Sequence, residues 1–155
     1  MSSRTKRSAA REAFTFAFPL RVRWAEVDRQ GIVFNPNYFV YADIASTEYF
    51  RALGFAYPAA FEALGSDLFA VSAEGRFHAS ARFDELLEIA FRTAHLGRTS
   101  IAFEITISRD RTVLFEGILT YVNADLTARQ PQPLPADLVT RILEFERVAP
   151  SRRPA

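Results

Sequence analysis

Asp28 stands three residues before Gly31 and seven before Asn35-Pro36, and this spacing is where the chain is equipped for chemistry. An aspartate of ordinary pKa, about 3.9, is ionised at neutral pH, so Asp28 is suited to attack a carbonyl carbon or to orient and deprotonate a water. Asn35 suits a helix N-cap and Pro36 the first helical position. The first turn of a helix carries backbone N–H groups without intrahelical partners, and its dipole favours negative charge, the arrangement a developing oxyanion needs. Phe34, Asn35 and Asn37 are the candidate donors, because Pro36 has no N–H. Gly31 lets the loop between acid and helix bend tightly enough to bring both onto one carbonyl. Taken singly, Asp28 is an ordinary turn residue and Asn35-Pro36 an ordinary helix start. Glu26 reads as a solvated or ion-paired strand-end carboxylate, and Asp43 and Glu48 as the exposed face of a helix.

The rest of the composition mostly removes alternatives. The 155 residues, 49% of them hydrophobic, suit one domain with a single core. A net charge of +1 draws the chain to neither nucleic acid nor an anionic membrane. The absence of cysteine excludes thiolate zinc sites and thiol nucleophiles. His78 and His95 have no metal-ligand spacing, so no metal site is expected, and no GxSxG elbow, GxGxxG or phosphate loop appears. No apolar run is long enough to span a bilayer, and MSSRTKRSAAR lacks the apolar middle of a secretory signal, which makes the cytoplasm the expected location.

The elements that must hold Asp28 and the helix start follow from periodicity. Alternation through Phe14, Phe16, Phe18, Leu20, Val22 and Trp24 predicts a first strand, with Pro19 marking an edge or a bulge. A helix is predicted from the Asn35-Pro36 start to Arg51 in its last turn and Gly54 as its stop, burying Tyr38, Ala42, Ala45, Tyr49 and Ala52. A short helix follows around Pro58 to Leu64. Four extended segments from about Leu68 to Val122 read as an antiparallel meander, joined through Asp84-Glu85, Leu96-Gly97-Arg98 and Arg109-Asp110-Arg111. Three prolines precede a last helix, Ala136 to Arg147. Residues 1–12 are expected to form a disordered arm, 13–148 the domain and 149–155 a frayed tail. The order strand, long helix, meander predicts an α+β fold in which an antiparallel sheet of five or six strands wraps one long central helix. One sheet covered by one helix leaves open edges, so self-association is expected.

The stretch from Arg23 to Phe50, RWAEVDRQGIVFNPNYFVYADIASTEYF, resembles the signature of the 4-hydroxybenzoyl-CoA thioesterase family, in which an acid, a glycine, two aliphatics, an aromatic and Pro-Asn-Tyr precede a long helix. The resemblance implies a hot-dog fold over Phe14 to about Asn123. It also implies an acyl-CoA thioesterase that releases coenzyme A and a small aromatic or short-chain acid. Asp28 would be nucleophile or general base and the Asn35 amide the oxyanion donor. Gly31, Val33, Phe34, Pro36, Tyr38 and Tyr49 would line the substrate, and Arg98, Thr99 and Ser100 would contact the coenzyme. No separate cofactor is implied, since coenzyme A is part of the substrate, and the expected assembly is a dimer, further paired into a homotetramer. Arg29-Gln30 departs from the Pro-Ala or Ala-Gly usual after the acid, and Asn35 stands where an aromatic or histidine is frequent. The competing readings are a non-catalytic acyl-thioester-binding protein and a thioesterase acting on acyl carrier protein.

Overall fold

The computed structural model describes residues 11–152. Strand β1 (Phe16–Arg21) leads through a 3-10 turn (Trp24–Glu26) and a tight loop into helix α1 (Asn37–Ala52). The short helix α2 (Ala59–Glu62) precedes β2 (Ser66–Phe77), β3 (Leu86–Leu96), β4 (Ser100–Arg109) and β5 (Thr112–Asp125). Helix α3 (Ala136–Phe145) and the short β6 (Ser151–Arg152) complete the chain's described elements. The strand order is β1-β3-β4-β5-β2, every pairing antiparallel, with β6 lying parallel to β3 at His95 and Leu96. This is the expected α+β arrangement of a sheet around one long helix. Among the described residues, no helix is long and apolar enough to cross a membrane.

Helix α1 forms as its punctuation predicts, one residue later at the start. Pro36 is the N-cap, with φ −60° and ψ −24°, and Asn35-Pro36 make a turn that feeds the helix. At the other end Gly54 takes φ +67°, and the Phe55 N–H reaches back to the Phe50 carbonyl, the geometry in which a glycine satisfies the last orphan carbonyls. Tyr38, Ala42, Ala45 and Tyr49 are buried as expected, joined by Tyr41 and Phe50, whereas Ala52 is exposed. Tyr49 is the hub of the core, its ring 5.2 Å from that of Phe91, 5.7 Å from Phe16 and 5.8 Å from Phe145. A large side chain buried so completely contributes about 1.5–3 kcal/mol. Across the sheet Gly75 pairs with Gly117, and a Cβ at either position would fall 2.5 Å or 2.9 Å from the Phe115 ring, so bare backbone makes room for it.

Three expectations need correcting. The first strand stops at Arg21, because Trp24 enters the 3-10 turn and stands 74% exposed against the edge of Phe83. The meander holds only for β3, β4 and β5: β2 pairs with β5 at the far edge, so Asp84-Glu85 ends a crossover and not a hairpin. Ala79, Ala81 and Phe83 therefore leave the sheet, and Ala81 is buried in that crossover beside the start of α1. Helix α3 ends at Phe145, two residues early, because Glu146 turns inward on an extended backbone. The arm expected over residues 1–12 lies outside the described residues except for Arg11 and Glu12, of which Arg11 pairs with Glu88 at 2.7 Å.

Candidate active site

Asp28 and the start of α1 are held together by a small ladder. Val27 bridges Val33, with the Asp28 N–H donating to the Ile32 carbonyl and the Phe34 N–H to the Glu26 carbonyl, each at 2.9 Å. A second rung ties Ile32 to Arg82, and the Val33 N–H donates to the Ala81 carbonyl at 2.9 Å. Between the rungs the chain reverses in the turn Asp28 to Gly31. The Gly31 N–H closes it on the Asp28 carbonyl at 2.9 Å, and one Asp28 carboxylate oxygen accepts the Gln30 N–H at 2.7 Å. Gly31 sits at φ +73° with nothing within 4 Å of a built Cβ, so the position requires glycine for its backbone and not for space. Asp28 is half-buried, and its second carboxylate oxygen has no hydrogen-bond donor among the described residues.

The three candidate oxyanion donors separate cleanly. The Phe34 N–H is taken by Glu26, and the Asn37 N–H by the Phe34 carbonyl at 2.9 Å. Tyr38 N–H goes to the Asn35 carbonyl and Phe39 N–H to that of Pro36, so the opening turn of α1 consumes its own donors. Only the exposed Asn35 N–H is left without an acceptor among the described residues. The Asn37 side chain pins the helix start by donating from Nδ2 to the Glu26 carbonyl at 2.9 Å.

Glu26 is the structural tie between loop and helix that its sequence context conceals. Expected as a solvated or ion-paired strand-end carboxylate, it is ion-paired, with the Arg23 guanidinium, but only 8% exposed, and it also accepts the Tyr41 hydroxyl at 2.7 Å and the Arg23 N–H at 2.9 Å. Burial alone would raise its pKa. The bonds from the Arg23 backbone, the Tyr41 hydroxyl and the Arg23 side chain outweigh burial and hold the carboxyl below the usual range. The same burial and the Glu26 carboxylate push the Tyr41 phenol far up. Glu26 thus fixes the strand before Asp28 to the helix after it.

The other predicted site residues lie as follows. Gly31, Phe34 and Pro36 are exposed around Asp28 and Asn35, while Val33 is buried beneath them. Tyr38 is buried, and its hydroxyl accepts the Ala81 N–H at 2.9 Å. Tyr49 is fully buried roughly 18 Å further along the helix, given 1.5 Å per residue from Asn37. Arg98, Thr99 and Ser100 form the β3–β4 turn, whose carbonyls are tied to Leu134, Asn123 and Gly97 while the Arg98 side chain is exposed. This turn lies beyond the C-terminal half of α1, since Thr93 on β3 touches Tyr49 whereas Ala81 touches Tyr38. A single chain therefore does not bring the turn to Asp28. A cavity of about 100 Å³ opens on the flank of α1, between Asp43, Ser46 and Thr47 and the walls formed by Tyr57, Leu68 and Tyr121. Its residues come from four separate parts of the chain, and none of them is among the site residues expected from the sequence. Among the described residues, no three His, Cys, Asp or Glu side chains converge in a way that could hold a metal.

The sequence and the coordinates each match known proteins. The family model of the Thioesterase superfamily matches residues 30–116, more than half of the chain. An acyl-CoA thioester hydrolase of Escherichia coli O6:H1, YbgC, is 28% identical over 126 residues, which cover 80% of this chain and 92% of that one. Among solved structures, a hypothetical protein of Thermus thermophilus superposes with a TM-score of 0.76 at 26% identity, covering 84% of this chain and 98% of its own. A 1,4-dihydroxy-2-naphthoyl-CoA thioesterase of Synechocystis gives the same TM-score, 0.76, at 20% identity and covers 82% of this chain and 94% of its own, a likeness of fold. With the acid loop, the long helix and the wrapped sheet in place, the chain belongs to the thioesterase superfamily and has its hot-dog fold.

Proposed function

We propose that this chain hydrolyses acyl-coenzyme A thioesters, with Asp28 as nucleophile or general base and the Asn35 amide as oxyanion donor. The observation that carries the proposal is the Asn35 N–H, the one donor at the start of α1 without an acceptor among the described residues, in the residue that follows the ladder holding Asp28. A carbonyl placed against that amide has its oxygen polarised and its carbon open to Asp28, or to a water that Asp28 deprotonates. The Gln30 N–H fixes one carboxylate oxygen and leaves the other for the reaction. The superfamily membership and the acyl-CoA activity named for the Escherichia coli relative support the same substrate class.

We take the acyl group to be small, aromatic or short-chain, and to lie at the Asp28–Asn35 end of α1; the cavity walled by Phe50, Tyr57 and Leu68 opens about two turns further along the helix. Because the Arg98-Thr99-Ser100 turn and Asp28 lie at opposite ends of α1, we assign the coenzyme contact of these three residues to a site shared by two copies of the chain. The outer edge of β2, exposed from Ser72 through Phe77, offers the second copy a pairing surface.

The test is release of free coenzyme A thiol from benzoyl, phenylacetyl and short-chain thioesters by the native protein and by Asp28→Asn. The expected result is turnover of at least one class that the substitution abolishes without loss of fold. A folded native protein that releases no thiol across the panel overturns the proposal.

A further inference from the structure

The carboxylates around the Asp28 loop already have their cations. Glu26 holds Arg23, Asp84 meets Arg21 at 3.5 Å, and Glu85 meets Arg109 at 2.7 Å. Arg29 and Arg82 are exposed there, and their guanidiniums form no ion pair among the described residues, although the Arg82 backbone N–H donates to the Glu85 carboxylate at 2.8 Å. Their positions are set by the ladder. Asp28 lies across from Ile32, and Ile32 bridges Arg82, so the three occupy one cross-strand row. The adjacent row, Val27, Val33 and Ala81, points to the core, with Val33 at 1% and Ala81 at 0% exposure. The Asp28 row therefore points to the opposite, solvent side, where Ile32 is half-buried and Arg82 open. Two strand spacings separate Asp28 from Arg82, about 10 Å between backbones, and Arg29 follows Asp28 directly.

We infer that Arg29 and Arg82 recognise a carboxylate carried by the acyl group, so that the substrates are short carboxyacyl thioesters; this rests on the thioesterase proposal above. An ionised Asp28 repels a second carboxylate brought near it, and two guanidiniums flanking the row offset that repulsion. Arginine stays charged at any working pH and grips a carboxylate through two parallel N–H bonds, so it selects the anionic acyl chain over a neutral one of equal length. The coenzyme phosphates present the same anionic chemistry, but they stand a whole pantetheine arm away from the thioester carbonyl, whereas these arginines sit beside the residue proposed to attack it.

Succinyl-CoA and butyryl-CoA differ by the terminal carboxylate at equal chain length. Comparing kcat/KM for both in the native protein, Arg29→Gln, Arg82→Gln and the double variant tests the assignment, with circular dichroism to confirm folding. The native protein is expected to favour succinyl-CoA by about tenfold or more, and the double variant to lose that preference through the succinyl substrate alone. Equal turnover of the two by the native protein overturns the inference. So does an equal loss on both substrates in the variants, which would place the coenzyme phosphates on these arginines. Should neither thioester be hydrolysed, the thioesterase proposal fails by itself, and calorimetric titration of the same two compounds still decides: arginine-dependent tighter binding of succinyl-CoA supports the inference, and equal binding overturns it.

Discussion

At the scale of single residues, the site depends on backbone conformation as much as on side chains. Gly31 holds φ +73° in open space, so Gly31→Ala introduces left-handed strain without a clash. A loss of about 1–2 kcal/mol is expected, read by urea unfolding, and thiol release should fall with it because the turn sets the angle of Asp28. This part of the site was legible in sequence: Asp28, Gly31 and Asn35 fall within eight residues, and their types state what the turn and helix start require. Glu26 was not legible. An acid two residues before Asp28 looks like a surface charge until Tyr41, fifteen residues on, is seen closing over it from the helix.

At the scale of elements, the end of α3 is tied to the core by a buried carboxyl. Glu146 accepts the Thr93 N–H at 2.8 Å and the Tyr49 hydroxyl on the same oxygen, and the Thr93 hydroxyl in turn lies 2.9 Å from that of Tyr49. Its second oxygen is buried with no partner among the described residues. Burial raises the Glu146 pKa, and the bonds from Tyr49 and Thr93 and the charge of Arg92 only partly offset it. A folded state that holds this proton longer than the unfolded chain is most stabilised below the ordinary glutamate range, and the contribution is lost as pH rises through the raised pKa. Melting temperature followed across that window should decline in the native protein and stay flat in Glu146→Gln, which keeps the acceptor. Glu146→Ala should cost about 1–3 kcal/mol at any pH, since it strands two buried donors. Residues 97 positions apart make this contact, so no local pattern announces it. The same limit applies to the sheet. Alternation identified the strands, yet whether β2 pairs with β3 or crosses to β5 is a choice among distant partners.

At the scale of the whole molecule, the dimer proposed above would pair along the long outer edge of β2 and would bring the Arg98 turn to Asp28. Val71, 60% exposed on that strand, makes no demand on the single chain's core. Val71→Lys is therefore expected to leave the melting curve of the monomer intact, shift sedimentation from dimer to monomer and lower thiol release together with it. A monomeric native protein, or a dimer indifferent to the lysine, would move the interface elsewhere. The ladder from Glu26 to Phe34 has a wider implication. The proposed acid, turn and oxyanion donor come from one short contiguous segment, whereas the cavity and the turn proposed to contact the coenzyme come from distant parts of the fold. The chemistry can thus be inherited as a block while the pocket walls diverge freely.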